Sequence, residues 1–538
     1  MANGASQPLR SRLDIHDRKQ FEMKLEYQPA PKDAKSRYLV ETFLFLPASL
    51  NIDVDTYPRA SFYADIHNYI RLKTPVMSFP EMLSDPNSPL VKLERRMESG
   101  RLEPQSELIH EAKMLSCVFR AALRRFDTSV KDHAQRGGSE ASRAAAAAAA
   151  AAGAAPASGD PMLISEVNDC QFCVEKVLDR FRAWTKKLTA AVPQPAERTR
   201  ASFRLVDEYM SLSVEQFFRK AVADMERLPR SATYIDLRKE LMAKVIREET
   251  YRRESSLRSV ISPTGDNEEY MQRLAFLKKF CMNILFLYAQ RRRGAQGLEE
   301  ALFAAAAGGA MAFATAVAFV AQQRVPQASF NFFLVLVVGY MFKDRIKEGL
   351  RKMLASAARD RLYDRTTVVQ NPVTGQEVGL CREKVDYGDP ATVPEEINKL
   401  RQVDDFVTVS QGELSETVLR YQKQMVLKAD ELPRVMGQTA GVTDIVRFNV
   451  GHLLHDMDDP EYAIEYVDLE DLSVGRVKGV KSYQVDMAFR FTVDDGDGTK
   501  VSTQLVRLVL DRNGIKRMVQ FEGGGRQGGG SPQVRSVA

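Results

Sequence analysis

Two apolar stretches stand close together in the middle of the chain and decide its architecture. Residues 301–321 read ALFAAAAGGAMAFATAVAFVA and contain no charged side chain. Residues 330–342 read FNFFLVLVVGYMF, in which Asn331 is the one strongly polar member. A helix rises about 1.5 Å per residue, so the first stretch spans roughly 31 Å, close to the hydrocarbon thickness of a bilayer. The pair predicts a two-helix transmembrane hairpin over residues 297–342.

The two stretches differ in how well their composition suits lipid. The first contains 11 alanines, and its Leu, Phe and Val side chains contribute only about −0.3 to −0.6 kcal/mol each to insertion. A buried helix of a soluble domain is the alternative for this stretch taken alone. The second stretch reaches 18 residues when counted from Val325, about 27 Å of helix, which crosses a slightly thinned bilayer. Two adjacent candidates support each other, so we favour the hairpin.

Small residues in the first stretch indicate where a partner helix would pack. Gly308, Gly309 and Ala312 stand at helical spacing, and small side chains let two helix backbones approach closely in a membrane. The second stretch is the natural partner.

Cationic side chains flank the hairpin, whereas the connection carries only Arg324. The flanking cations are Arg291, Arg292, Arg293, Lys343, Arg345 and Lys347. Such flanks stay cytoplasmic and attract anionic lipid headgroups. The chain begins MANGASQPLR, without an apolar core behind a basic start, so we expect no cleavable signal peptide. Together with Arg- and Ala-rich usage, this predicts a bacterial inner-membrane protein with both termini in the cytoplasm.

The overall composition fits a cytoplasmic body on an anchor. The chain has 538 residues, of which 44% are hydrophobic and 27% charged, an ordinary globular composition. Its net charge of +5 is small, and the local basic excess lies beside the hairpin, so nucleic acid is not an expected partner. Five scattered cysteines are too few for a disulfide framework, which indicates a reducing compartment.

The predicted fold class is α+β and rich in helix, with mixed cytosolic domains on both sides of the hairpin. Extended apolar patterns at 21–27 and 38–46 and a helix over 107–126 open the chain. The predicted regions are a mixed α/β region (1–130), an Ala/Gly-rich low-complexity linker (131–160), a helical region (161–296), the hairpin (297–342), a basic juxtamembrane helix (343–365), a C-terminal α+β domain (366–522) and a disordered tail (523–538).

Apolar spacing in the helical region predicts three helices, over 164–190, 201–227 and 232–256. The apolar face of the third helix, over 232–256, is suited to packing in a helix bundle or against a coiled-coil partner. A further amphipathic helix is predicted from Leu274 to Ala289. It either lies flat on the membrane surface or packs into the helix bundle.

Strict alternation over residues 483–493 predicts a half-buried antiparallel strand near the C-terminus. Turns at 494–499 and at Asn513-Gly514 lead into two further strands, which makes a three-stranded meander with one face packed and one face wet. Helices are also predicted near 395–403 and 414–427.

One polar cluster has the residue types of a metal site. His452 and His455 stand three residues apart, beside Asp456, and on a helix they would point the same way toward a divalent ion. The arrangement lacks the Glu of an HExxH motif, and a capped helix with surface histidines is the alternative. Cys170 and Cys173 have the spacing of a redox or zinc half-site but no second pair, so two small buried residues are favoured.

The sequence contains no phosphate-binding loop, dinucleotide fingerprint or nucleophile elbow, and we predict no cofactor. The leading hypothesis is a membrane-anchored, mainly cytoplasmic assembly, scaffold or regulatory protein without catalytic activity. Its expected partners are the lipid bilayer, anionic headgroups, and a protein partner or a second copy. The alternatives are a metal-dependent enzyme that uses His452, His455 and Asp456, and a subunit of an oligomeric channel or transporter.

Overall fold

The structure is a computed structural model. It describes residues 9–29, 35–100, 103–137, 160–190, 196–228, 231–292, 296–324, 330–358, 363–372, 375–388, 390, 393–401, 416–432, 434–435, 438–468, 473–494, 498–521 and 533–536. The chain divides into two compact units. A mixed unit comprises Met1–Arg71, Leu287–Leu432 and Gly441–Ala538, and a helical unit comprises Leu72–Phe286 and Pro433–Ala440.

The helices and strands of the described residues are numbered in chain order. The helices are α1 (Arg59–Asp65), α2 (Phe79–Ser84), α3 (Pro89–Glu98), α4 (Gln105–Gly137), α5 (Pro161–Ala190), α6 (Glu197–Met225), α7 (Ala232–Glu254), α8 (Glu268–Met282), α9 (Gln296–Arg324), α10 (Phe330–Ala358) and α11 (Glu395–Arg401). The strands are β1 (Leu9–Asp17), β2 (Gln20–Tyr27), β3 (Lys35–Pro47), β4 (Ile66–Leu72), β5 (Tyr288–Arg292), β6 (Arg365–Gln370), β7 (Glu377–Gly388), β8 (Glu416–Lys428), β9 (Arg434–Val435), β10 (Gln438–Thr439), β11 (Val442–Asn449), β12 (Glu461–Val467), β13 (Val474–Val480), β14 (Tyr483–Asp494), β15 (Thr499–Asp511), β16 (Gly514–Phe521) and β17 (Gln533–Ser536).

The helical unit is built around α6, which packs against α4, α5, α7 and α8. Its apolar side chains recur every three or four residues, and Phe203, Val206 and Met210 are fully buried. The three helices predicted from this periodicity correspond to α5, α6 and α7. Helix α8 also belongs to this bundle, because Leu277 and Cys281 are buried in it and Arg273 pairs with Glu208 of α6.

Two antiparallel sheets form most of the mixed unit. The larger has nine strands in the order β17-β16-β15-β14-β3-β8-β7-β6-β5, and the smaller has four in the order β1-β2-β11-β4. The sheets meet through aromatic contacts: the Phe21 and Phe489 rings stack with centroids 6.1 Å apart, and those of Tyr27 and Tyr38 are 5.2 Å apart. The core of this unit therefore lies between the two sheets.

The predicted C-terminal meander is confirmed, since β14, β15 and β16 pair antiparallel in succession. The centre of β14 is nevertheless buried on both faces, unlike the expected strand with one wet face. Ala488 packs beneath Ile397 of α11, and Asp486 pairs with Arg507 and Arg401. Helix α11, itself predicted near 395–403, covers the face that alternation alone assigns to water.

The helix predicted near 414–427 is wrong, because this segment forms strand β8. Its apolar positions do not alternate, since β8 lies between β3 and β7 and its centre is buried on both faces. A buried central strand and a helix cannot be separated by periodicity alone.

Other segments differ from the sequence-based expectation in detail. Within the predicted tail, Gln533–Ser536 pairs with β16 as β17, and residues 522–532 and 537–538 lie outside the described ranges. Most of the predicted linker, residues 138–159, also lies outside them. The second apolar stretch and the basic helix after it form one uninterrupted helix, α10.

Candidate functional site

Helices α9 and α10 pack against each other in antiparallel orientation. Gly339 of α10 lies beside Val317 of α9, where a Cβ atom on the glycine would be 3.0 Å from Val317 Cγ1. Further along, the Arg351 guanidinium stands 4.1 Å from the Phe303 ring centroid. The two helices connect β5 to β6, which are themselves paired at the edge of the nine-stranded sheet.

The two apolar stretches overlap only in part. The Leu350 side chain lies next to Gly309 and the Arg351 side chain reaches Phe303, so the first half of the apolar stretch in α9 runs beside the charged half of α10. The apolar part of α10 ends before Lys343. We call the region where both helices are apolar, residues 311–321 and 330–342, the apolar tip.

The apolar tip presents large hydrophobic side chains outward. Those between 36% and 74% exposed are Met311, Phe313, Phe319, Val320, Phe330, Phe333, Leu334, Val335, Val337, Val338, Tyr340, Met341 and Phe342. Monomeric soluble proteins rarely expose contiguous apolar patches larger than a few hundred Å², and larger ones mark protein or membrane contacts.

Among the described residues, one helix is long and apolar enough to cross a membrane, the segment Glu300–Arg324 of α9. Only 11% of its most apolar window is buried, whereas the core helix of a soluble domain is mostly buried. Helix α10 is not apolar over enough length to pass the same test. Its apolar part covers only about 20 Å before the charged residues from Lys343 onward. Residues 325–329, from which the second span was counted, lie outside the described residues.

The cations expected to flank the hairpin are found on two elements. Arg291 and Arg292 end strand β5, opposite Thr367 and Thr366 of β6. Lys343, Arg345 and Lys347 lie on α10, and the Lys343 ammonium stands 3.7 Å from the Tyr340 ring centroid. Arg293 lies outside the described residues.

The stripe of α9 that faces α10 differs from the expected one. Ala306, Ala310 and Ala321 are buried, whereas Gly308 and Ala312 are exposed. A Cβ atom on Gly308 would meet nothing within 4 Å, and one on Gly309 would meet Leu350 Cδ1 at 3.2 Å. Because each residue turns the helix by about 100°, positions two apart lie on nearly opposite sides. Gly309 is exposed as well, but it lies next to Leu350 of α10, whereas Gly308 has no such neighbour.

A buried polar network joins the two sheets of the mixed unit. Lys423 Nζ of β8 lies 2.6 Å from Asp444 Oδ1 of β11, and both side chains are 0% exposed. Tyr38 donates its hydroxyl proton to Asp444 Oδ2 at 3.0 Å, and Lys423 donates to Asn68 Oδ1 at 3.2 Å. Burial lowers the pKa of Lys423, but the neighbouring acidic groups, of which Asp444 contributes most, together outweigh it and raise the pKa overall. The ammonium therefore stays charged at neutral pH.

The network continues to a second carboxylate. Asn68 Nδ2 and the Tyr421 hydroxyl both donate to Glu383 Oε1, each at 2.5 Å. The Tyr421 ring is covered by Phe62, with centroids 5.3 Å apart. Because the Lys423 and Asp444 side chains have no exposed surface and their partners lie inside the protein, we interpret the network as structural.

The structure gives each histidine of the predicted metal cluster a carboxylate of its own. His452 Nδ1 lies 2.6 Å from Asp65 Oδ2, and His455 Nδ1 lies 2.8 Å from Asp456 Oδ1. Asp65 also accepts a hydrogen bond from the Tyr57 hydroxyl at 2.7 Å. His452 lies in a short 3-10 helix that ends at Leu454, so the two imidazoles do not share the face of an α-helix. Within the described ranges, no three His, Cys, Asp or Glu side chains form a group suited to a metal ion.

The five cysteines are free and buried. Burial raises the pKa values of Cys170 and Cys173 in α5, with neighbouring acidic groups adding to the effect. Their thiols are therefore protonated at neutral pH, which fits the interpretation of the pair as small buried residues.

A charged cleft in the helical unit has side chains that neutralise one another. Lys244 and Arg247 both pair with Glu175. Arg182 bridges Asp207 at 3.0 Å and Glu248 at 2.6 Å, which fastens α5 to α6 and α7. Opposite charges in direct contact leave little net field for a ligand, so we interpret the cleft as part of the bundle.

Sequence reasoning missed one exposed element, the hairpin formed by β12 and β13. All seven residues of β12 are exposed, although Tyr462, Ile464 and Tyr466 alternate with smaller or charged residues. That alternation over EYAIEYV is the signal from which the strand could have been found.

Comparisons with known proteins add no assignment to this geometry. No protein-family model, no curated protein and no solved structure matches the chain.

Proposed function

We propose that this protein is anchored in a membrane by the α9–α10 pair and carries its two folded units as an assembly, scaffold or regulatory module. The membrane is the cytoplasmic membrane of a bacterium, and both termini lie in the cytoplasm. The bilayer and its anionic headgroups are the first partners, and a protein partner or second copy binds the folded units.

One observation carries the proposal, the outward-facing hydrophobic surface of the apolar tip. Phe333, Leu334 and Val338 are between 42% and 62% exposed on α10, and Phe319 is 62% exposed on α9. Apolar surface costs about 25 cal/mol per Å² while it stays in water. Lipid tails remove this cost without a protein partner of matching shape.

A role without catalysis is proposed because the buried charged groups make contacts that hold the fold together. Lys423, Asp444 and Glu383 hold the two sheets together, and Arg182 holds three helices together. On the surface of the helical unit, Ile235, Met242 and Ile246 of α7 remain 39% to 58% exposed. They stand seven and four residues apart, the spacing of a face that suits a partner helix.

Flotation of the full chain on vesicles of phosphatidylethanolamine and phosphatidylglycerol tests the anchor. The double variant Leu334→Lys/Val338→Lys places two cations on the apolar tip, one helical turn apart. Lysine costs about 2.5–3.5 kcal/mol at the centre of a membrane helix, so we expect the variant to lose most vesicle binding.

The matched control is Ile235→Lys/Ile246→Lys on α7, which adds the same charges at apolar positions of similar exposure. It should float like the unaltered protein. If the tip variant floats as well as the unaltered protein, the anchor is contradicted. If both variants lose vesicle binding equally, binding comes from exposed apolar surface in general rather than from the apolar tip.

A further inference from the structure

We propose that the exposed side of helix α7 binds the same side of α7 in a second copy of this chain, with the two helices antiparallel. The inference rests on the proposed role as an assembly module, because it names the second copy as the partner of the folded units. It does not depend on the membrane anchor.

Helix α7 has apolar residues on two sides. Leu237, Leu241 and Val245 are buried in the bundle. Ile235, Met242 and Ile246 are 43%, 39% and 58% exposed. A turn of 100° per residue places these three within about 40° of one another around the helix axis. One apolar stripe is enough to join a surface helix to its own core, so α7 carries a second stripe that the bundle does not use.

The second stripe has the spacing of a coiled-coil seam. It continues through Lys239, Glu249 and Arg253, and its positions are separated by alternating steps of four and three residues. Two helices that interlock their side chains along such a stripe form a two-stranded coiled coil. We call the residues at positions 235, 239, 242, 246, 249 and 253 the α7 seam.

The apolar part of the α7 seam matches itself when a second helix is turned end for end. A two-fold axis beside Lys244 sets Met242 opposite Ile246 of the second copy, and by symmetry Ile246 opposite Met242. The same axis sets Ile235 opposite Arg253, whose methylene groups can cover apolar surface while the guanidinium stays in water. The antiparallel pair therefore joins apolar groups along its whole length.

The charges of the α7 seam fix the direction of the pair. In the antiparallel arrangement Lys239 faces Glu249 of the second copy, and this contact occurs twice. A parallel arrangement in register would instead set Lys239 against Lys239, Glu249 against Glu249 and Arg253 against Arg253. Opposed like charges disfavour a wrong pairing, whereas complementary charges fix the register. The order of charges along α7 thus suits a second copy in the antiparallel direction.

Both charges of this contact also have a neighbour on their own helix. The Lys239 ammonium lies 3.2 Å from an oxygen of Asp236, and the Arg253 guanidinium lies 2.6 Å from an oxygen of Glu249. Such exposed pairs contribute little to stability. An ammonium group has three donors and a carboxylate has two acceptor oxygens, so each group can keep its neighbour and also contact the opposite charge on the second copy.

Cross-linking of the full chain in mild detergent tests the arrangement. All native cysteines are buried, so a short bis-maleimide reacts with introduced cysteines. Differently tagged Ile235→Cys and Arg253→Cys proteins are mixed in equal amounts. We expect a 235–253 product and no 235–235 product, because the two copies of residue 235 lie about 27 Å apart along the antiparallel helices. A 235–235 product in place of 235–253 would overturn the antiparallel direction, and the absence of both would overturn the inference.

A charge swap tests the contact between Lys239 and Glu249. Lys239→Glu sets two carboxylates opposite each other in both contacts, so sedimentation equilibrium should show dimerisation weakened at least about fivefold. The double variant Lys239→Glu/Glu249→Lys restores opposite charges across the pair and should regain most of the loss. A double variant that dimerises no better than Lys239→Glu would overturn this pairing.

A matched pair of substitutions tests the apolar centre. Ile246→Lys and Phe172→Lys each place a lysine at a position that is 58% exposed, the first in the α7 seam and the second on α5. Ile246→Lys should weaken dimerisation at least about tenfold, because the ammonium loses water inside the seam. Phe172→Lys should dimerise like the unaltered protein. Equal dimerisation by Ile246→Lys would overturn the inference.

Vesicle flotation keeps this inference separate from the membrane anchor. Ile246→Lys should float like the unaltered protein even though its dimer is weakened. An unaltered chain that floats but is monomeric at every concentration would overturn the inference and leave the anchor intact. A chain that forms the 235–253 product but does not float would overturn the anchor and leave the inference intact.

Discussion

Gly339 of α10 and Val317 of α9 are in such close contact that a Cβ atom on the glycine would lie 3.0 Å from Val317 Cγ1. The distance is shorter than ordinary van der Waals contact, so the absence of a side chain at residue 339 lets the two helices meet here. The contact lies within the apolar tip, where both helices lack charged side chains.

The first prediction follows from this contact. Gly339→Val should push α10 away from α9 and reduce cross-linking of Phe303→Cys with Arg351→Cys by a short bifunctional maleimide. Gly308→Ala is the control, because a Cβ atom on Gly308 would meet nothing within 4 Å. The control should cross-link normally. Undiminished cross-linking in Gly339→Val would show that the helices do not depend on this contact.

The buried pair of Lys423 and Asp444 gives the second prediction. Lys423→Met leaves the Asp444 carboxylate buried without its partner, which costs about 3–5 kcal/mol. Lys428→Met, on the same strand, removes a half-exposed lysine that stands 3.4 Å from Glu377, a contact worth about 0–1 kcal/mol. Urea unfolding measures both changes in the free energy of unfolding.

The double variant Lys423→Met/Asp444→Leu separates the pair from its surroundings. It removes both charges together, so it should lose less stability than Lys423→Met alone. An equal or larger loss in the double variant would contradict the assignment of the cost to an unpaired carboxylate.

The third prediction concerns acid stability of the mixed unit. Burial raises the pKa of Glu41, but hydrogen bonds from Arg420 and Gln422 and the charges of Arg420 and Arg490 together outweigh it and hold the pKa below its usual 4.5. A carboxyl group whose pKa is lowered by folding stabilises the folded state above the unfolded pKa, and this contribution is lost as pH falls through the folded pKa. Stability should therefore decline as the pH falls below about 4.5.

Glu41→Gln removes this titration and should flatten that decline, at the cost of lower stability at neutral pH. Glu395→Gln is the control, since Lys399 also lowers the pKa of this carboxyl group but water screens the exposed pair, so its contribution to stability is small. Unfolding midpoints measured across the acid range give the comparison. Parallel pH profiles for Glu41→Gln and the unaltered protein would rule out this role for Glu41.

The fourth prediction concerns the thiols. Burial raises the pKa of Cys281 to about 12, and Cys381 is shifted further in the same direction, although Lys423 opposes the shift. The folded protein should therefore react slowly with a thiol reagent at neutral pH, and all five cysteines should react in urea. Rapid labelling before unfolding would show that at least one thiol reaches solvent.

Several elements could be predicted from the sequence because their signals are local. The periodicity of α5, α6 and α7 and the alternation and turns of β14 to β16 arise from residues within a few positions of one another. The pairing of β3 with β8 and β14 could not be predicted in this way, because it joins residues 379 and 449 positions apart, as in Glu41 with Arg420 and Arg490. Apolar and polar residues do not alternate along β8 because both faces of its centre are buried.

The same limit applies to the candidate sites. The apolar stretches were visible because they are runs of consecutive residues, which composition alone reveals. The buried pair of Lys423 and Asp444 was not, since nothing in the neighbouring sequence distinguishes either residue from an exposed charge. The stripe by which α9 faces α10 was also missed, because small residues cover several sides of this helix and composition does not select one.

Membrane anchoring by the α9–α10 pair can be measured on native membranes. The measurement is an alkaline carbonate wash, followed by sedimentation of the full-length protein. We expect the protein to stay with the membrane pellet through the wash and to be released only by detergent. Recovery of the full-length protein in the carbonate supernatant, with a known integral membrane protein still in the pellet, would contradict it.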